Sequence, residues 1–374
     1  MGDESAEQVS PGITCSYTSQ ETNLQVIDPD GDLSLQVGQI KCANISAGDG
    51  SQDHEHELPV TFIVCSKALS RASRFWKRLL YGGFAESKPS SASSASDWLV
   101  ELPEDNPKAM TIVLNIIHCQ FESIPGINDP IGIEDLYQLT VLADKYDLTA
   151  ILRPWASTWM EFIENNFEPF SSTPEVERLS WIAWVMGDFE LYRRAVEHLV
   201  SYCPVDVDGD LQSSIGDKTV PLFSSTLEPP GLHELLKRSR LSSVAVMLSI
   251  YDAAIKGLIS TPPASTPSTV CGQGSDKSVC EAAILGTMIK SLASTRYWPL
   301  PEASQVRTCF STTNFTLSRI NIQSPVHQKC KGLKEGDLNI LKRGRATRVD
   351  FPSSVAERMA NQADKSGLPI VAQS

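Results

Sequence analysis

Cys271, Cys280, His327 and Cys330 are of the types that hold soft divalent metals, and they form two local pairs, Cys-x8-Cys and His-x2-Cys. Thiolates with an imidazole are the ligand set of structural zinc. Neither spacing is a standard finger pattern, and the first pair flanks a helix start. Ordinary buried thiols are therefore the favoured reading, and no metal or other cofactor is expected. His54-Glu55-His56 lies in an acidic loop without a rigid third ligand and makes a poor metal site. Asp28-Pro29-Asp30-Gly31-Asp32 and Asp206-Val207-Asp208-Gly209-Asp210 resemble the start of calcium loops. Their sixth positions are Leu33 and Leu211 where Gly is needed, and their twelfth are Gln39 and Asp217 where Glu is needed. Both read as solvated turns.

Asp144, Lys145 and Tyr146 could supply acid-base chemistry, but sequence neighbours on a helix do not face one another, so they cannot converge on one substrate atom. No P-loop, nucleophile elbow, HExxH or dinucleotide fingerprint is present, and a non-enzymatic chain is expected. The net charge of -13 and pI near 5.0 argue against nucleic acid as the main partner. Residues 1–57 carry much of that excess, with eleven Asp/Glu against Lys41 alone. By contrast Lys329, Lys331, Lys334, Lys342, Arg343, Arg345 and Arg348 give 329–348 a basic excess, read as a solvated face, with nuclear import or an acidic partner as the functional alternative. The first residues lack a secretory pattern, and Asp252 and Lys256 interrupt the apolar run from Val244 to Ile259, so no membrane is expected. Nine Cys without a signal peptide read as reduced thiols of the cytoplasm or nucleus.

These residues need elements to position them. At 374 residues two domains are the default, and 41% apolar with 21% charged residues is ordinary globular material. Residues 1–25 read as a disordered acidic tail. Leu33, Leu35 and Val37 alternate with polar residues as in a half-buried strand, and Val60 to Val64 supplies a second, making a hairpin plausible. Helices are expected at Ser66–Leu69 and Ser73–Leu80, a mobile surface loop at 85–97, and a strand at Trp98–Leu102. Asn106-Pro107 opens a helix carrying Met110, Val113, Leu114 and Ile117 on one face. Further helices follow at about Glu134–Tyr146 and Thr149–Ile163, with Phe75, Leu114 and Leu139 placed in the core.

In the second half Thr173-Pro174 opens a helix that Gly187 ends, and Asp188 caps the next, to about Tyr202. A loop spans 203–230, a long helix Leu232–Ile259, a linker 261–275 and a helix about 276–294. Residues 170–335 read as a mainly helical region. Residues 340–374, poor in large apolar residues, read as a flexible tail.

Residues 26–165 resemble a BTB/POZ domain. Asp32-Leu33-Ser34-Leu35 is similar to its first strand. Phe62 to Cys65, then Leu69, Ser73, Phe75 and Trp76, are similar to its second strand, first helix and Ser-x-aromatic-aromatic helix start. Phe84, Glu86 and Ser87 match its Phe-x-Glu-Ser element, and Leu142 through Asp144, Lys145, Tyr146 and Leu148 its Ala-Asp-x-Tyr junction. Trp155, Trp159 and the helices after them resemble fungal BTB-domain proteins with a helical extension. Two departures stand out: Cys65 occupies a position where the family usually has His, and no amphipathic helix precedes Asp32, so the short form is the better match.

The resemblance implies an α+β fold, a small three-stranded sheet covered by helices, followed by the helical region. It implies protein-protein interaction, through self-association as a homo-oligomer or through another BTB protein. A cullin-type ubiquitin ligase adaptor is the alternative, although Met110-Thr111-Ile112 lacks the carboxylate that such adaptors often carry there. An enzyme or a zinc-stabilised domain in the C-terminal half is a further alternative.

Overall fold

The computed structural model describes residues 23–39, 59–92, 94–126, 130–166, 172–215, 218–260, 271, 276–327, 330, 332–343 and 349–370. The architecture is α+β, in two compact units, Met1–Ile124 and Pro125–Ser374. That division falls inside the 26–165 range of the resemblance. His54-Glu55-His56, Lys329, Lys331, Arg345 and Arg348 lie outside the described residues.

Alternation builds the sheet of the first unit. Strands β1 (Asn23–Val26), β2 (Leu33–Val37), β3 (Val60–Val64) and β4 (Leu99–Leu102) lie in the order β1-β3-β2-β4. β2 runs antiparallel to β3 and parallel to β4, which sets Leu35 opposite both Phe62 and Val100. These three residues with Leu33, Val37 and Val64 are fully buried, as a period-2 pattern over one wet face requires. β1 corrects two expectations. The sheet has four strands rather than three, and Asn23–Gln25 belong to a strand rather than to the acidic tail. Its apolar residues, Leu24 and Val26, are exposed, so it is tied in by backbone pairing with β3 and no buried alternation announced it.

Helices α1 (Ser66–Ala72), α2 (Arg74–Tyr81) and α3 (Pro107–Ile117) complete the unit. The Ser73 hydroxyl caps α2 by accepting from the N–H groups of Phe75 and Trp76 at 2.9 and 3.4 Å. Asn106 caps α3 in the same way through Ala109. Ser66 is not the cap of α1: it is the first helical residue, behind Cys65. Trp76 is completely buried, whereas Phe75 is 41% exposed, so its placement in the core is corrected: the stripe of α2 runs through Trp76 and Leu80. Leu114 and Leu139 are buried as expected. The loop expected to be mobile is pinned at its start, because the Ser87 hydroxyl accepts from Gly83 and Phe84 N–H and donates to the Leu79 carbonyl.

In the second unit α4 (Ile133–Lys145), α5 (Arg153–Asn166), α6 (Thr173–Met186) and α7 (Phe189–Tyr202) follow one another. Ten of the fourteen residues of α6 are buried, because α4, α7 and a later helix all pack on it. Gly187 ends it at φ +81°, a left-handed cap that suits glycine. The segment expected as a loop contains a hairpin, β5 (Gln212–Ile215) with β6 (Lys218–Pro221).

α8 (Leu232–Ile259) is long and apolar enough to cross a membrane by length and composition, further than the sequence reading allowed. Twelve of its 28 residues are buried in this unit, Arg240 among them, and Asp252 pairs with Lys256. α9 (Lys277–Ser294), α10 (Phe310–Ser318) and α11 (Glu335–Arg343) share a core with it around Tyr251, Ile284, Met288, Phe310 and Leu317.

The flexible tail expected at 340–374 is corrected as well. Ser353–Ser366 form α12, which buries Val355, Met359 and Ala363 against α6. Gln362 and Ser366 donate to the carbonyls of Val185 and Met186 at 2.9 and 2.6 Å, satisfying acceptors that the end of α6 cannot use itself. Small and polar residues serve here because the approach is close: a Cβ on Gly187 would stand 2.1 Å from the Ala363 nitrogen.

Candidate functional site

The residues of the BTB-like motif divide between the two units. Asp32, Leu35, Phe62, Cys65, Leu69, Ser73, Phe75, Trp76 and Phe84 lie in the first, and Asp144, Lys145 and Tyr146 in the second. Leu35, Phe62, Leu69 and Trp76 are core. Asp32 organises the end of the sheet: its carboxylate accepts from the Ser66 N–H and hydroxyl at 2.8 and 2.9 Å and pairs with Lys88 at 2.8 Å. Burial would raise the Asp32 carboxyl, but the Lys88 ammonium and Ser66 donors outweigh it and hold the group below its ordinary value.

An imidazole stands beside Cys65. His118, at the end of α3, accepts from the Cys65 N–H through Nε2 at 3.0 Å while Nδ1 donates to the Leu114 carbonyl at 2.8 Å. Sequence reading missed it; a polar ring closing an apolar helix was the available signal.

The outer surface of this unit is apolar at its edge. Leu24 is 59% and Val26 53% exposed on β1, and Leu99 stands exposed on β4 at the opposite edge. Phe75 and Phe84 are exposed as well.

In the second unit Tyr146 is buried, Lys145 lies over its ring, and Asp144 pairs with Arg358 of α12 at 3.1 Å. Asp147 pairs with Lys365. The three motif residues do not converge on a common point, in keeping with a structural role.

A cavity of about 400 Å³ opens where α8 meets residues 205–211 and 304–307. Lys237 and Arg240 line it, but Lys237 is paired with Asp210, and Arg240 donates to the carbonyls of Val306 and Thr308 at 2.8 Å. Among the described residues that line it Asp208 is the single carboxylate, and none is His or Cys. No nucleophile-base pair is assembled there.

The thiols expected to be unremarkable are brought together. The ligand atoms of Cys271, Cys280, His327 and Cys330 all lie within 4.8 Å of one another. Cys280 sits in the first turn of α9, where its N–H bonds the Asp276 carbonyl. The Cys330 N–H donates to the His327 carbonyl at 3.0 Å. The Ser324 hydroxyl positions His327 by accepting from the N–H groups of Val326 and His327. Thr287 of α9 exchanges hydrogen bonds with the backbone of Gln323, both at 3.1 Å, and Ser291 accepts from the Asn321 N–H. Gly332 follows at φ +71°, where a Cβ would stand 2.5 Å from Ile322 and 2.7 Å from Ile284. The segment bearing two ligands is thus pressed onto the helix bearing a third.

Fold and sites together define an α+β chain with a small mixed sheet and a helical second unit that holds a clustered set of three cysteines and one histidine. No protein-family model matches the chain, and no curated protein compared with it does.

Proposed function

We propose that the chain is a non-enzymatic protein-interaction scaffold of BTB/POZ type that self-associates through its N-terminal unit. The observation carrying this reading is β1, an edge strand with outward-facing Leu24 and Val26. An open strand edge with apolar side chains is a template for another chain, and a second copy presents the same edge, so a two-fold pairing satisfies both. The acidic charge of -13 keeps nucleic acid out of the reading. Among the described residues no two cysteines are joined by a disulfide, which accords with the cytoplasm or nucleus. The cullin-adaptor alternative draws nothing from Met110 and Ile112 of α3, which are buried and carry no carboxylate.

Light scattering of the full chain over a wide dilution series tests the proposal. The expected result is mass that doubles with concentration, and a monomer throughout for Leu24→Lys with Val26→Lys. A wild-type chain that stays monomeric at every concentration overturns self-association.

A further inference from the structure

We propose that Cys271, Cys280, His327 and Cys330 form a structural zinc site, tying the start of α9 to the segment that leads into α11.

Geometry carries the assignment. Zinc bonded tetrahedrally at about 2.3 Å to sulfur and 2.0–2.1 Å to nitrogen sets sulfur atoms about 3.8 Å apart and sulfur from nitrogen about 3.5 Å apart. The Sγ atoms of Cys271 and Cys330 are 3.8 Å apart, and Cys271 Sγ lies 3.3 Å from His327 Nδ1. A disulfide would need sulfurs near 2.05 Å, so the three thiols, free of disulfides and within 4.8 Å of one another, are gathered without being bonded to each other.

Chemistry agrees with the geometry. Three thiolates and one neutral imidazole make a full tetrahedral set, the closed arrangement of structural sites, with no position left for substrate. The set is soft and nitrogen-sulfur, which selects zinc over calcium or magnesium. Binding exchanges three S–H bonds for three Zn–S bonds and releases three protons to solvent, with no change of oxidation state.

Construction of the surroundings points the same way. Cys271 and Cys280 are buried in the apolar core that α8, α9 and α10 share, while His327 and Cys330 reach them from a segment held by Thr287, Ser291 and the close approach at Gly332. Residues far apart in sequence are brought to one point by contacts that do not involve the ligand atoms. A bound ion there cross-links chain positions 59 residues apart, from 271 to 330.

The test uses the full chain purified under reducing conditions, saturated with zinc(II) and freed of excess metal by gel filtration. The expected content is about one zinc per chain, falling below about a tenth in Cys280→Ser and in His327→Ala while Cys119→Ser, whose thiol lies outside the cluster, keeps the full amount. Should the variants fail to fold, cobalt(II) added to the metal-free wild type provides the second reading. It should give the intense thiolate-to-metal absorption and ligand-field bands of a tetrahedral site, both abolished by equimolar zinc. Wild type that retains no zinc, variants that fold and retain it in full, or cobalt spectra without thiolate bands each overturn the site. Metal content and the dilution series are independent readouts, so the failure of one proposal is distinguishable from the failure of the other.

Discussion

The two units achieve long-range order by different means. In the first, backbone ladders do it: β2 bonds β3 and β4 residue by residue, so Leu35 meets Phe62 and Val100 once the register is set. In the second, the backbone hydrogen bonds of the helices are satisfied locally, and the choice of which helix meets which falls to side chains. Gln362 and Ser366 find the end of α6, Arg240 finds the carbonyls of Val306 and Thr308, and Glu177 accepts from Thr226. A sheet advertises its partners through alternation, whereas a helical unit places its specificity in scattered polar residues that carry no period.

The largest effect expected from this contrast lies in the first unit, where one turn of α2 places two aromatic neighbours on opposite sides of the surface. Trp76→Ala should cost about 3–5 kcal/mol, since the indole is completely buried, and Phe75→Ala less than about 1 kcal/mol. Urea unfolding of the full-length variants measures both. Equal losses would show that the core extends over the exposed face and that the division drawn from the sheet is wrong.

A smaller effect should separate two glycines of the second unit. Gly187 and Gly231 both adopt positive φ, so alanine at either costs about 1–2 kcal/mol of backbone strain. Only Gly187 lies under another element, with the Ala363 backbone 2.1 Å from where a Cβ would be. Gly187→Ala should therefore also loosen α12, and hydrogen exchange over 353–366 should quicken in that variant alone. Unchanged protection would mean that α12 is held by Arg153 at its C-terminal end and by the Arg358 ion pair along its length, rather than by its seat on α6.

What could be read in advance follows the same line. The helices at Thr173–Met186, Phe189–Tyr202 and Leu232–Ile259 were legible because Pro174, Gly187, Asp188 and Gly231 punctuate them with physical stops. α12 was not, because its seat requires small and polar residues, Gln362, Ala363 and Ser366, and a search for large apolar residues passes over it. β1 was hidden for the opposite reason, since its apolar residues face outward. The Cys and His positions were visible as types and spacings. Their meeting was not, because it depends on how the 321–333 segment crosses α9, a tertiary fact carried by Thr287 and Gly332.

The finest test concerns Asp32, whose carboxylate ties the start of β2 to the start of α1 and to Lys88. Its carboxyl is held below the ordinary value, so the folded state binds that proton less tightly than the unfolded chain does. The stabilisation is then fully present above the unfolded value of about 3.9 and fades as pH falls through the lower folded value. The Lys88 and Asp32 side chains are both partly exposed, so solvent screening limits the pair itself to about 1 kcal/mol or less. Asp32→Asn should consequently lower the unfolding midpoint modestly at pH 7, and the gap to wild type should close as pH falls below about 4. High salt should shrink the Lys88 part of the gap and leave the Ser66 part, because the first is an exposed ion pair and the second a short-range hydrogen bond. A gap that persists unchanged at pH 2 would assign the role of Asp32 to shape rather than to charge, leaving the first unit ordered by its ladders alone.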